Sequence, residues 1–132
     1  MTDKPPRAFA PRGKLLTNSQ IDCAIARRVM GWTASSAHGQ PTWNIPVSQA
    51  VGRVIYQSGW QPSADMRDAW QVLAKFPFAE WDIILCTCAE GWYCSISHRN
   101  ESTRYAEAET ASRALCLAAL MTHGVDAKAV KA

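Results

Sequence analysis

The chain lacks the features that would assign it quickly to a function class. It has no run of about 18 or more apolar residues, which excludes a transmembrane helix. Its opening, MTDKPPRAFAPRGK, has no apolar segment of the secretory type. It also lacks a Gly-rich phosphate loop, a G-x-S-x-G elbow and an H-E-x-x-H zinc helix. Charge of one sign is scarce too. The net +3 resides in residues 1–14, where Lys4, Arg7, Arg12 and Lys14 face only Asp3. The remaining residues balance acid against base, which argues against a folded domain built to grip a duplex, since phosphate contacts supply most of that affinity.

Cysteine is present in an odd number: Cys23, Cys86, Cys88, Cys94 and Cys116. An odd count without a secretory signal points to free thiols in a reducing compartment. Cys86 and Cys88 have C-x-C spacing rather than the C-x₂-C of structural zinc sites, and no second pair follows. Cys94 is the one further thiol near them. A two-residue hairpin turn would set it opposite Thr87, a three-residue turn opposite Cys86. Packing as small hydrophobes accounts for all five. His98 lies four residues from Cys94 along a strand, roughly 13 Å away, too far for a nucleophile–base pair. His123 falls in a last helical turn, where the helix dipole favours it. The pairs Asp65/Asp68 and Glu107/Glu109 read as helix-start carboxylates. No catalytic residue, metal ligand or cofactor is expected.

With 48% hydrophobic and 19% charged residues among 132, the chain can bury one core. Residues 1–14, holding three of the seven prolines, read as a flexible basic leader. Residues 15–126 form a single domain, and 127–132 a tail. A first helix starts at Thr17, Asn18 or Ser19 and runs its stripe through Ile21, Ala24, Ile25, Arg28 and Val29. Gly31 stops it, and Trp32 folds back over its last turn. Residues 33–62 are broken by proline and glycine. Within them VGRVIYQ alternates as a strand through Val51, Arg53, Ile55 and Gln57.

A second helix is capped by Ser63, stopped by Pro77, and lined by Met66, Ala69, Trp70, Leu73 and Phe76. WDIILCTC, AEG and WYCSIS form a hairpin with Trp81, Ile83 and Leu85 on one face and Ile84, Cys86 and Cys88 on the other. Both faces are apolar, which calls for a layer on each side. A last helix over residues 107–122 is apolar nearly all round, marking it as deeply buried or as an interface. Together these predict an α+β fold: a small antiparallel sheet built on a β-hairpin, sandwiched by about three helices.

Four segments carry a resemblance: IDCAIARRVMGW (residues 21–32), PSADMRDAWQVLAKF (62–76), WDIILCTCAEGWYCSIS (81–97) and AEAETASRALCLAALMTHG (106–124). With VMGW and A-W-x-V as their most specific elements, they resemble the phage ABA sandwich domain, a family of small phage and prophage proteins. The Pro-rich leader and an elaborated connector over residues 33–61 depart from that pattern. The resemblance brings no catalytic residues. It implies a phage protein working in the host bacterial cytoplasm, away from membranes.

Such a protein is expected to be no enzyme and to act by contact. The leading expectation is that it binds and inhibits or redirects a bacterial host protein or complex, an anti-CRISPR or other anti-defence inhibitor among the forms this takes. The contact candidates are Trp43 and Trp60 in the Pro-rich connectors, Arg99 and Arg104 after the hairpin, and Arg7 and Arg12 in the leader, because tryptophan and arginine dominate interface hot spots. Two alternatives stand beside it. One is a nucleic-acid or nucleotide binder using the basic leader. The other is a homodimer or larger homo-oligomer joined through the apolar last helix.

Overall fold

The computed structural model describes residues 16–46, 53–99 and 105–124. The leader and the tail lie outside them. The fold is α+β, with three helices and two three-stranded antiparallel sheets. Helix α1 (Asn18–Ala24) continues into a π-helical turn (Ile25–Val29). Strands β1 (Thr33–Ala37), β2 (Gln40–Asn44) and β3 (Val54–Tyr56) follow, then a 3₁₀ turn (Gln57–Gly59) and α2 (Met66–Leu73). Strands β4 (Trp81–Cys88), β5 (Gly91–His98) and β6 (Tyr105–Ala108) lead into α3 (Ala111–Thr122).

Thr17 starts α1 through a reciprocal capping box. Its hydroxyl accepts from the Gln20 amide at 3.1 Å, and the Gln20 side chain accepts from the Thr17 amide at 2.9 Å. The expected stripe is buried at Ile21, Ile25 and Val29, yet Ala26 and Met30 are buried with it. The π turn is the cause. Met30 N–H donates to Ile25 O, and the widened turn rotates the next residues toward the core. Gly31 takes φ 75°, and Trp32 folds back with its amide donating to Ala26 O at 2.9 Å. Its buried ring lies 4.6 Å from that of Trp60.

Helix α2 begins later than the sequence suggests. Asp65, not Ser63, is its cap, accepting from the Arg67 amide. The buried face runs through Ala69, Val72 and Phe76, with Met66 and Leu73 half-buried, whereas Trp70 is 55% exposed. Val72 therefore takes the place expected for Trp70.

The first sheet has order β1-β2-β3. Its β1–β2 hairpin turns on His38 (φ 53°) and Gly39 (φ 76°), both in the left-handed region as a two-residue turn of the I′ kind requires. The sequence did not announce this hairpin, because four of the five β1 residues are exposed and its polar pattern lacks alternation. Of the strand expected over residues 51–57, Val54–Tyr56 is observed as β3, while Gln57 opens the 3₁₀ turn and Val51 and Gly52 lie outside the described residues.

The second sheet has order β4-β5-β6 and contains the predicted hairpin, turning on Ala89 and Glu90. Its inner face puts Cys94, Ile96, Ala106 and Ala108 in the core and packs the half-buried Trp81, Ile83, Leu85 and Trp92 against it, with α3 lying over this face. Residues 105–108, read from sequence as the approach to and start of the last helix, are instead strand β6 paired to β5. Alanine and glutamate favour helix, but the tertiary pairing overrides them. The helix starts only after Thr110, whose hydroxyl accepts from the Arg113 amide. Glu107 thus sits in a strand.

Eight of the twelve α3 residues are buried. The helix packs on β5 and β6 and on α1, its π turn and α2, so its all-round apolarity is consumed within one molecule. That corrects the expectation of an interface through this helix. A buried polar hub fastens the helices together. Ser63, 1% exposed, donates its amide to Asp22 Oδ1 at 2.8 Å and its hydroxyl to the Asn18 carbonyl, while its own carbonyl accepts from Ser112 Oγ at 3.0 Å. Arg113 donates to Asn18 Oδ1 at 2.6 Å and to the Leu16 carbonyl at 2.8 Å.

Burial raises the Asp22 pKa, the Ser63 hydrogen bonds lower it, Asp68 raises it and Arg113 lowers it, with a net upward shift. An upward shift means the folded state holds the proton longer, so stability is fullest below the ordinary 3.8 and falls as pH climbs through the raised value. Asp22→Ala, which strands the Ser63 amide, is expected to lower stability by about 1–3 kcal/mol in denaturant titration. Asp22→Asn keeps an acceptor, and its stability relative to the native chain should rise with pH across that same titration. At Gly91 an added Cβ would collide with the Ala108 carbonyl oxygen. Gly91→Ala is therefore expected to lower the melting temperature, at a cost of about 2 kcal/mol or more.

Candidate contact surface

Two of the contact candidates are core residues. Trp43 is 1% exposed, with the Arg27 guanidinium carbon 5.8 Å from its ring centre. Trp60 is 3% exposed and donates its indole N–H to Gln71 Oε1 at 2.9 Å. Neither offers a ring to a partner. The folding of the proline-rich connector into a sheet and a 3₁₀ turn carries both inward. Arg99 is exposed, and its guanidinium donates to the Phe78 carbonyl at 3.4 Å. Arg7, Arg12 and Arg104 lie outside the described residues.

The thiols are kept apart by strand parity. Across the two-residue turn Cys94 pairs with Leu85 on the inner face, not with Thr87, while Cys86 pairs with Tyr93 on the outer face. Burial, with a smaller contribution from Cys86, pushes the Cys94 thiol up to about 12. Burial likewise pushes Cys116 well up, with Asp22 and then Cys94 adding to the rise and Arg113 opposing it. A thiol so protonated is a poor nucleophile. His98 packs edge-on against Trp81 at 5.2 Å. His123 is the C-cap residue of α3 with its ring against Phe76, and burial, then Arg28, lower its pKa below the ordinary 6.5. Both effects disfavour the charged ring, which weakens the dipole interaction expected of a cation at this position.

A cleft of about 470 Å³ opens between α1, β2 and the turn before α2, lined by Asn18, Asp22, Trp43, Gln57 and Gln61 among others. Four of its polar side chains are bonded within the fold: Asn18 to Arg113, Asp22 to Ser63, Gln57 to the Thr42 carbonyl and Gln61 to the Ser58 carbonyl. These bonds join neighbouring elements and leave few groups converging on the opening.

The outer face of the second sheet is different. It carries Asp82, Ile84 and Cys86 on β4, Tyr93, Ser95 and Ser97 on β5, and Tyr105 and Glu107 on β6. None of these belongs to the apolar core, although Ser95 and Ser97 are buried, and α3 packs on the opposite face. The second layer that an apolar outer face called for is not found among the described residues. Ile84 is 53% exposed and Tyr105 40%, and the Tyr93 and Tyr105 rings stack at 5.2 Å with 21° between their planes. The charged groups on this face, Asp82 and Glu107, are both acidic. Phe78, at 77%, Trp70 and Tyr56 are the other large exposed rings among the described residues. The sequence held a signal for this surface in the strand period that sets Ile84 opposite Ile83 and Leu85, but nothing in it marked Tyr105 as the third-strand neighbour.

Among the described residues, no three His, Cys, Asp or Glu side chains gather as metal ligands, and no helix is long and apolar enough to cross a membrane. A family profile described as the phage ABA sandwich domain matches residues 24–120. Among solved structures, the chain is similar to a phage protein from Bacillus cereus ATCC 14579, with a TM-score of 0.61 at 20% identity, over 87% of this chain and 94% of that one. No curated protein matches. At that identity the structural likeness establishes the fold.

The thiol geometry predicts a sharp order of reactivity. Brief iodoacetamide treatment of the native chain, read by peptide mass spectrometry, should label exposed Cys86 and leave Cys94 and Cys116 unmodified until denaturant is added.

Proposed function

As the chain belongs to the phage ABA sandwich domain family, we propose that it is a non-enzymatic phage accessory protein that binds a bacterial host protein in the host cytoplasm and inhibits or redirects it. Interference with a host defence system, CRISPR among them, is the form of this activity that the proposal favours. One observation carries the reading. The outer face of the β4-β5-β6 sheet presents an exposed isoleucine beside a tyrosine stack, rimmed by Asp82 and Glu107.

Rigid stacked tyrosines supply large contact area at low entropic cost, and aromatic anchors of this kind concentrate binding energy. The acidic rim suits a basic-rimmed protein surface and repels phosphate. The protonated Cys94 and Cys116 thiols and the inward-bonded cleft groups also support contact rather than chemistry. The basic leader favours a second reading, nucleic-acid binding, which oligonucleotide titration at two salt concentrations separates from the first.

The test is capture from lysate of the bacterial host, followed by infection of a host with an active defence. The native chain is expected to retain one partner in stoichiometric amount and to improve phage survival. Tyr105→Ser, an exposed substitution that should leave the melting temperature unchanged, is expected to weaken capture about tenfold, or about 1.4 kcal/mol. Equal capture by the variant, or no partner and no effect on infection, would count decisively against the reading.

A further inference from the structure

The same sheet ends on a strand built to accept another strand. In the order β4-β5-β6, β4 is an edge, and among the described residues it pairs with β5 alone. It is eight residues long, WDIILCTC, about 27 Å of extended backbone. Edge strands in monomers are usually blunted by lysine, proline, a bulge or brevity. β4 has none of these; its register against β5 is unbroken and Asp82 is its one charge.

The other edges are protected. β3 has three residues and β6 four, and β1, TASSA, is short and mostly polar. Among the described residues, only the β4 edge joins length to apolar side chains, with Ile83 and Leu85 half-buried and Ile84 exposed.

We propose that β4 is the self-association edge of this protein, pairing antiparallel with β4 of a second copy to make one six-stranded sheet. A row of unpaired amides and carbonyls is satisfied by another strand, and an antiparallel strand is complementary to itself about a twofold axis. With that axis normal to the sheet and passing through Ile84 or Leu85, both copies keep Ile83 and Leu85 on the inner side and Ile84 on the outer. The two Asp82 carboxylates then stand at least about 13 Å apart along the strands, so the single charge does not oppose pairing. The second copy also continues the apolar inner layer past Ile83 and Leu85, which β5 and α3 cover only in part. This inference concerns the edge and stands apart from the host-factor reading, which uses the outer face; the pure protein tests it with no host component present.

Sedimentation velocity and light scattering on the full chain, from micromolar to submillimolar concentration, should show a species of twice 14.5 kDa. Ile84→Lys and Thr87→Lys, both at exposed positions, should each weaken it about tenfold or more. Trp70→Ser, on α2, should leave it intact. Hydrogen exchange on the native chain gives a check that needs no variant: β4 amides should exchange faster on dilution while those of α3 do not change. A monomer at every concentration overturns the proposal. So does a dimer that both lysine variants leave at full strength, or β4 amides whose exchange is independent of concentration.

Discussion

The hydrogen bonds around Ser63 are the constraint on which the arrangement of helices rests. Ser63 precedes α2, yet it bonds to Asp22 and Asn18 of α1 and to Ser112 of α3. Polar groups in a dry interior are costly unless paired, so these bonds leave little freedom in how the three helices meet. Asp22 carries the largest stake. Its carboxylate is desolvated, and the Ser63 amide is its nearest compensation. Apolar packing alone would hold α3 against the sheet but would tolerate sliding; the hub fixes one register.

That register determines which side chains remain outside. With α3 taken up on all sides, the second sheet is covered on its inner face, and Ile84, Tyr93 and Tyr105 are left toward the surroundings. The same geometry sends Cys94 and Cys116 into the core, where burial keeps their thiols protonated. Two of the five thiols are thus withdrawn, while Cys86 stays exposed on the face that carries the tyrosines, Asp82 and Glu107.

Much of the fold was legible wherever a local signal matched the tertiary outcome. A capping residue at Thr17, Asn18 or Ser19 announced the start of α1, Gly31 its end, and the alternation of Trp81, Ile83 and Leu85 the inner face of β4. Legibility failed where long-range pairing overruled local preference. Ala106–Glu107–Ala108 reads as helix and is strand because β5 needs a partner there. The face of α2 was misassigned at Trp70 because Val72 points inward once the helix begins at Met66. The first hairpin escaped notice because β1 is polar and exposed and shows no alternation. Of the contact candidates, Trp43 and Trp60 were placed in connectors whose folding could not be read, and both proved buried; Arg99 alone among the described candidates is exposed.

By itself the sequence determined the element types with strong periodicity, the single core and the absence of known catalytic spacing, because these depend on neighbours a few residues apart. Only the tertiary structure decided which face of each element would be covered. It placed β6 beside β5, paired Cys94 with Leu85, and left β4 as an edge. Those outcomes depend on groups far apart in the chain competing for the same buried space, and no local pattern records who wins.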